Sequence, residues 1–194
     1  MDPKVKVENG ILKTGRNYLL EVDEASRNDI RRNHTATHLL HKALREELGD
    51  HVKQAGSMVS PDRLRFDFSH FEQVSPEALT RVEARINEMV RENLPVATQV
   101  MSMEEAMNTG AVALFEERYG DTVRVVSVGD FSMELCGGTH CRHSGDIGTF
   151  LIVSEGSAAA GVRRLEALTG RVAMEAIQTR SEEHTSELQS RQVI

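Results

Sequence analysis

The chain of 194 residues contains only two cysteines, Cys136 and Cys141, and they stand five apart. Neighbours that close, one of them inside a histidine-bearing loop, read as a metal ligand or a reduced thiol before a structural disulfide. The sequence also lacks any run of about 18 apolar residues, which excludes a membrane-spanning helix. Met1-Asp2-Pro3-Lys4 has no apolar segment of the kind that begins a secretion signal, so the expected location is the cytoplasm. Nor is there an excess of positive charge. The formal net charge of −7 gives no global footprint for nucleic acid, so any such contact must be local, at pairs such as Arg31-Arg32 or Arg163-Arg164. By itself, an adjacent arginine pair is usually plain solvated surface. With 39% apolar and 27% charged residues, the chain is an ordinary globular one, long enough for one large domain or two small ones.

In chain order, residues 5–22 alternate apolar and polar around Asn9-Gly10 and Gly15, which predicts a short hairpin. Asp23 then caps a helix on which Ile30, His34, Thr37, His38, His41, Leu44 and Leu48 recur at helical spacing, ending at Gly49. Two strands flank Pro61-Asp62. In the second, Leu64, Phe66 and Phe68 alternate with Arg63, Arg65 and Asp67. Ser75-Pro76-Glu77 opens an amphipathic helix that must stop before Pro95. Residues 96–103 read as extended, 104–107 as a short helix, and 111–118 as a further turn. Strands follow at 123–128, 131–135, 147–154 and 162–168, with small residues from Gly156 to Gly161 between the last two and a helix from about Arg171. There is no internal repeat and no steady βαβ rhythm, which favours an α+β fold with antiparallel pairing. Residues 180–190 look like the translation of a widely used sequencing-library adapter, so the segment 180–194 is expected to be an artefactual tail and His184 no ligand.

The chemistry concentrates in two places. His34-Thr35-Ala36-Thr37-His38 sets two imidazoles four residues apart on one helix face. Cys136-Gly137-Gly138-Thr139-His140 offers a thiol and an imidazole around a diglycine that lets a loop turn tightly. Either half alone is matched as well by a satisfied core histidine or an ordinary loop. Together they supply three nitrogens and one sulfur, a set suited to Zn²⁺. A zinc-protease motif would need glutamate where Thr35 stands, and a nucleobase deaminase would need His-x-Glu with Pro-Cys-x-x-Cys, which is absent. His41 reads as structural and Cys141 as a small apolar residue.

Four segments carry a resemblance: Asn33 to Leu40, Leu64 to Ser69, Glu134 to His140 and Gly161 to Glu166. In this order and at these separations, they resemble the editing domain of alanyl-tRNA synthetase. That domain is similar to the editing region of threonyl-tRNA synthetase and to freestanding AlaX proteins. The resemblance implies an antiparallel sheet packed with helices, the HxxxH helix facing the sheet, and one zinc held by His34, His38, Cys136 and His140. It implies hydrolysis of Ser-tRNA(Ala) or Gly-tRNA(Ala), because a pocket shaped for alanine gains only ~1–3 kcal/mol against such near-isosteres and a second site must supply the rest. Thr37, beside a ligand, and Gln54, which matches a glutamine linked to editing, become candidates for substrate recognition. Arg163 and Arg164 become candidates for the acceptor-end phosphates of tRNA(Ala), with Lys42 and Arg45 behind them.

The expected organisation is then a remnant of a preceding β-barrel at 1–22, the editing domain at 23–179 and the tail at 180–194. No aminoacylation core is recognised, so the parent would be an ATP-dependent ligase and this chain its editing fragment, a monomer without DNA or membrane partners. A freestanding AlaX-type editor and a non-catalytic zinc module that docks tRNA are the alternatives.

Overall fold

The computed structural model describes residues 7, 9–19, 21–113 and 120–191. Its organising element is α1 (Glu24–Leu48), started by the Asp23 carboxylate, which accepts the Ser26 N–H at 2.9 Å. The helix stops at Gly49, whose φ of 113° a side chain would strain. After it come β1 (Gln54–Val59), β2 (Leu64–Ser69), α2 (Pro76–Arg91), β3 (Val96–Ser102), α3 (Met103–Asn108), β4 (Thr122–Val128), β5 (Ser132–Leu135), a 3₁₀ turn (Ser144–Ile147), β6 (Phe150–Ala159), β7 (Val162–Thr169) and α4 (Gly170–Arg191). The Ser75 hydroxyl and Pro76 start α2 as a cap and first-turn proline should.

The fold is α+β with antiparallel pairing, built on two sheets where the sequence suggested one. The larger has the order β1-β2-β7-β6 and the smaller β3-β4-β5. Leu39, Leu40 and Leu44 of α1, Ile86 of α2, and Phe66, Phe68, Phe150 and Leu165 of the larger sheet are fully buried together. Each such side chain contributes roughly 1.5–3 kcal/mol by leaving water. A separate small core of Ala106, Ala111, Val123, Val125 and Leu135 holds the second sheet to α3. α1 reaches both sheets, touching β1, β2 and β7 of one and β5 of the other. That double contact builds the site.

Several expectations need correction. The hairpin expected at 5–22 lies partly outside the described residues, and those that are described form a bend and a turn but no strand. Ile11 and Leu19 there are 84% and 87% exposed, so the alternating pattern has no sheet to bury against. The turn expected over 111–118 also falls largely outside the described residues; Val112 instead bridges to Glu134. Ile147 ends a 3₁₀ turn and does not begin a strand, because Gly148 reverses the chain at φ 70°. β6 in turn runs on through the small residues to Ala159. α4 crosses residue 180 without a break, but every residue from Ile177 to His184 is exposed, so packing onto the domain ends near Ala176. Among the described residues no helix is long and apolar enough to cross a membrane.

Candidate metal centre

His34 and His38 lie one turn apart on α1 with ring centroids 5.3 Å apart. β5 ends at Leu135 and delivers Cys136 into the loop opposite them. Four hydrogen bonds fix that loop. The Arg124 guanidinium on β4 donates to the carbonyls of Cys136, at 3.1 Å, and Gly138. The Cys136 N–H donates to the Arg124 carbonyl at 2.9 Å. The Thr35 hydroxyl, buried in α1, accepts the Cys141 N–H at 3.0 Å. Gly138 comes so close to the His34 ring that a Cβ there would overlap it, whereas a Cβ on Gly137 would meet open space. Only the second glycine of the pair is demanded by the site.

The result is a group in which one ligand atom from each of His34, His38, Cys136 and His140 lies within 4.8 Å of every other. Cys136 Sγ stands 3.4 Å from His34 Nε2, and the His140 ring centroid is 4.4 Å from that of His34 and 5.0 Å from that of His38. His38 Nε2 and both nitrogens of His140 are buried and have no hydrogen-bond partner among the described residues. An unpaired buried polar atom costs about 1–3 kcal/mol, so three together mark a place built for something to bind. Imidazole nitrogens and a thiol are the donors a transition metal takes.

Glu134 is the residue that sequence reasoning missed. Its carboxylate, 3% exposed, pairs one oxygen with His38 Nδ1 and the other with His41 Nδ1 at 2.7 Å. Held at Nδ1, His38 turns Nε2 toward the group, the way a carboxylate orients a metal-binding imidazole. Alternation along a strand could have revealed it, since residues 134 and 136 share a face. His41, expected to be structural, packs on Phe66 at 5.6 Å between ring centroids, and its Nε2 too is buried without a hydrogen-bond partner among the described residues.

Burial works against charge throughout this cluster, yet its anions stay anionic. It raises the Cys136 thiol, but the imidazoles of His140, His34 and His38 gathered around the sulfur outweigh it and pull the thiol down to about 3. It raises Glu134 too, and the charge and hydrogen bonds of His38, then His41, bring that carboxyl to about 2. His140 is lowered to about 4, by burial first and by the charges of His38 and His34 next. His38 is raised to about 10 despite its burial, because Glu134 and Cys136 surround it. A thiolate and a carboxylate at this spacing demand positive charge between them, whether a proton on His38 or a cation.

The other expected residues are placed as follows. Thr37 is 4% exposed, on the same face as His34, and its hydroxyl donates to the Asn33 carbonyl at 2.8 Å. Gln54 begins the edge strand β1 and donates to the Ser57 hydroxyl at 3.0 Å; among the described residues no hydrogen bond joins it to the four ligands. Arg163 donates to Glu155 at 2.6 Å, and Arg164 holds Asp67 through two bonds of 2.7 and 2.8 Å. Lys42 pairs with Glu46 at 3.4 Å and Arg45 with Asp50 at 2.7 Å. Cys141 stays apart from the four and packs partly against the main core.

Residues 123–166 match the family model described as the threonyl and alanyl tRNA synthetase second additional domain. Among similar curated proteins are the alanine–tRNA ligases of Listeria welshimeri, 52% identical over 95% of this chain, and of Halorhodospira halophila, 58% identical over 85%. That of Geobacillus kaustophilus is 58% identical over 86%. The chain spans about a fifth of the length of each, 21%, 19% and 19%. The matched segment covers nearly all of β4, β5, the cysteine loop, β6 and most of β7, with two of the four candidate ligands, and the chain belongs to the second-additional-domain family of the threonyl and alanyl tRNA synthetases.

Proposed function

We propose that this domain hydrolyses the ester of tRNA(Ala) wrongly charged with serine or glycine, with Zn²⁺ held by His34, His38, Cys136 and His140 on the helix face turned to the strands. The observation that carries the reading is the four-residue group with three buried, unpartnered imidazole nitrogens. Its donor ratio suits zinc, and Glu134 is the support such a ligand needs. When bound, zinc would supply a fixed positive charge that orients and polarises the aminoacyl end of the substrate.

The chain's own residues do the rest. Hydrolysis adds water to the ester carbonyl, breaks the acyl–oxygen bond, and returns a free amino acid and the ribose hydroxyl. Glu134 is not free to act as general base, because both its oxygens are engaged and its carboxyl is held low. Positioning of the ester, with proton transfer through the substrate's own hydroxyl, is the route these residues support. Thr37 reads the side chain. Its proton is committed to Asn33, so its oxygen can only accept, and a seryl hydroxyl offers the donor that alanine lacks. Glycine enters on size alone. Gln54 is proposed as a second recognition group from β1. Arg163 and Arg164, engaged by carboxylates, serve first to hold the sheet; only Arg164, 39% exposed, keeps a surface toward phosphate. The partner is the acceptor end of tRNA(Ala), and ligation by the full-length relatives is not assigned to this fifth of their length.

A second reading is a closed structural metal that merely helps to dock tRNA, which four protein ligands favour. Deacylation of Ser-tRNA(Ala) by the purified, zinc-loaded chain separates the two. We expect release well above the buffer rate, lost together with zinc in Cys136→Ala. A folded chain with full zinc that leaves Ser-tRNA(Ala) at the buffer rate would leave the docking reading standing.

A further inference from the structure

Beside the metal centre opens a cleft of about 470 Å³. Asn28, Arg31 and Arg32, from the first half of α1, form one wall, and the loop from His140 to Arg142 forms the other. His140 belongs to both places, since its ring nitrogens face the cluster group and its side chain lines the cleft. A molecule lying in the cleft would therefore end at the ligands.

The charges in the cleft are unevenly spent. Arg32 is used up, donating to the Asp146 carbonyl at 3.0 Å and to Asp29 at 2.9 Å. Asp146 is used as well, one carboxylate oxygen accepting the N–H groups of Arg142 and His143 at 3.1 Å each. Glu24 is exposed in the first turn of α1. Arg31, by contrast, reaches only the neutral Asn28 side-chain oxygen among the described residues, at 2.9 Å. The Arg142 side chain is exposed and has no carboxylate partner among the described residues. Two guanidiniums without counter-charge face each other across a groove that leads to His140. This is the arrangement that grips phosphate, since each fork matches a pair of phosphate oxygens.

We propose that the cleft takes the phosphodiester chain of the single-stranded 3′ end, with Arg31 and Arg142 on its phosphates while the terminal ester passes His140 to the centre. The proposal rests on the hydrolase reading above. It moves the phosphate contact from Arg163 and Arg164, which are already paired, to the two arginines that are not.

The test uses two substrates, Ser-tRNA(Ala) and 3′-O-seryl-adenosine, which carries the same ester and no phosphate. In the double variant Arg31→Ala, Arg142→Ala we expect kcat/KM for the tRNA to fall about tenfold, through KM. The ratio of kcat/KM between the two substrates should fall by the same factor. The slope of log kcat/KM against log salt should become shallower by about 1.4, or roughly 0.7 for each single-strand phosphate released. Arg142→Gln alone, at an exposed position that cannot disturb the core, should give about half that change in slope. An unmoved ratio and slope in an active enzyme would overturn the cleft assignment and leave the hydrolase reading intact. A wild-type chain inactive on both esters would overturn both.

Discussion

Two groups of charged and polar side chains in this domain invite comparison, because both are partly buried and they leave different kinds of atom unpaired among the described residues: a carboxylate oxygen of Glu155 in one, a cluster of imidazole nitrogens in the other. On the larger sheet, Asp67 of β2 takes a two-pronged bond from Arg164, and Arg163 of β7 closes on Glu155 of β6. Each cation there has its anion, and the pairs tie neighbouring strands in register. Between α1 and β5, Glu134 is satisfied by two histidines, yet Nε2 of His38 and of His41 and both nitrogens of His140 have no hydrogen-bond partner among the described residues. The first arrangement explains itself as structure. The second is what the proposed ion would complete, since it gathers several unpaired nitrogens around one point.

The comparison is broken most severely at Glu134. Glu134→Ala strands two buried imidazoles, and we expect it to cost about 3–5 kcal/mol of stability and to weaken zinc binding about 10- to 100-fold. Urea melts and metal titration against a chelator check this; a variant with native metal affinity would reduce Glu134 to a packing residue. Next in size is Thr37→Val, which keeps shape and removes the hydroxyl. The preference for Ser-tRNA(Ala) over Ala-tRNA(Ala) should drop about tenfold with zinc content unaltered, read from deacylation rates and elemental analysis on the same samples. If the metal is lost instead, Thr37 supports the centre and does not read the substrate.

The smallest effect belongs to the sheet. Arg164 holds the Asp67 carboxyl below its ordinary range, the hydrogen bond first and the charge second, against burial. Because the folded value is depressed, the pair's contribution is full above the unfolded carboxyl range near 3.9 and fades as pH falls through the lowered folded value. Asp67→Asn should therefore melt slightly below wild type at pH 7. The gap should close on acidification toward pH 3, with variant and wild type both stripped of metal by a chelator so that release of the ion in acid does not enter. A gap that persists in acid would mean that Asp67 acts by shape and not by charge.

What could be read from the sequence divides along the same line. The caps at Asp23 and Ser75, the period of α1 and the alternation through Leu64, Phe66 and Phe68 are local signals, and they appear in the fold where local geometry requires them. The four proposed ligands were legible because HxxxH sets its spacing within one turn and Cys-x-x-x-His within one loop. Partnership across the chain was not. Asp67 and Arg164 are 97 residues apart, and only strand register decides that they meet. Glu134 was hidden for the same reason, since a glutamate on a strand ordinarily reads as a solvent-facing residue until α1 is laid over it. The N-terminal alternation misled because a pattern names a face but cannot supply the surface that covers it.

The placement of the centre has one further consequence. His34 and His38 sit on a helix rooted in the larger core, whereas Cys136 and His140 follow a strand rooted in the smaller one. An ion held by all four would therefore be a rivet between two hydrophobic bodies that also meet along α1 and β5 and where Val128 of β4 joins the larger core. Its binding energy counts toward docking one body on the other as well as toward chemistry. Loading the site and assembling the domain are then one equilibrium viewed from two ends.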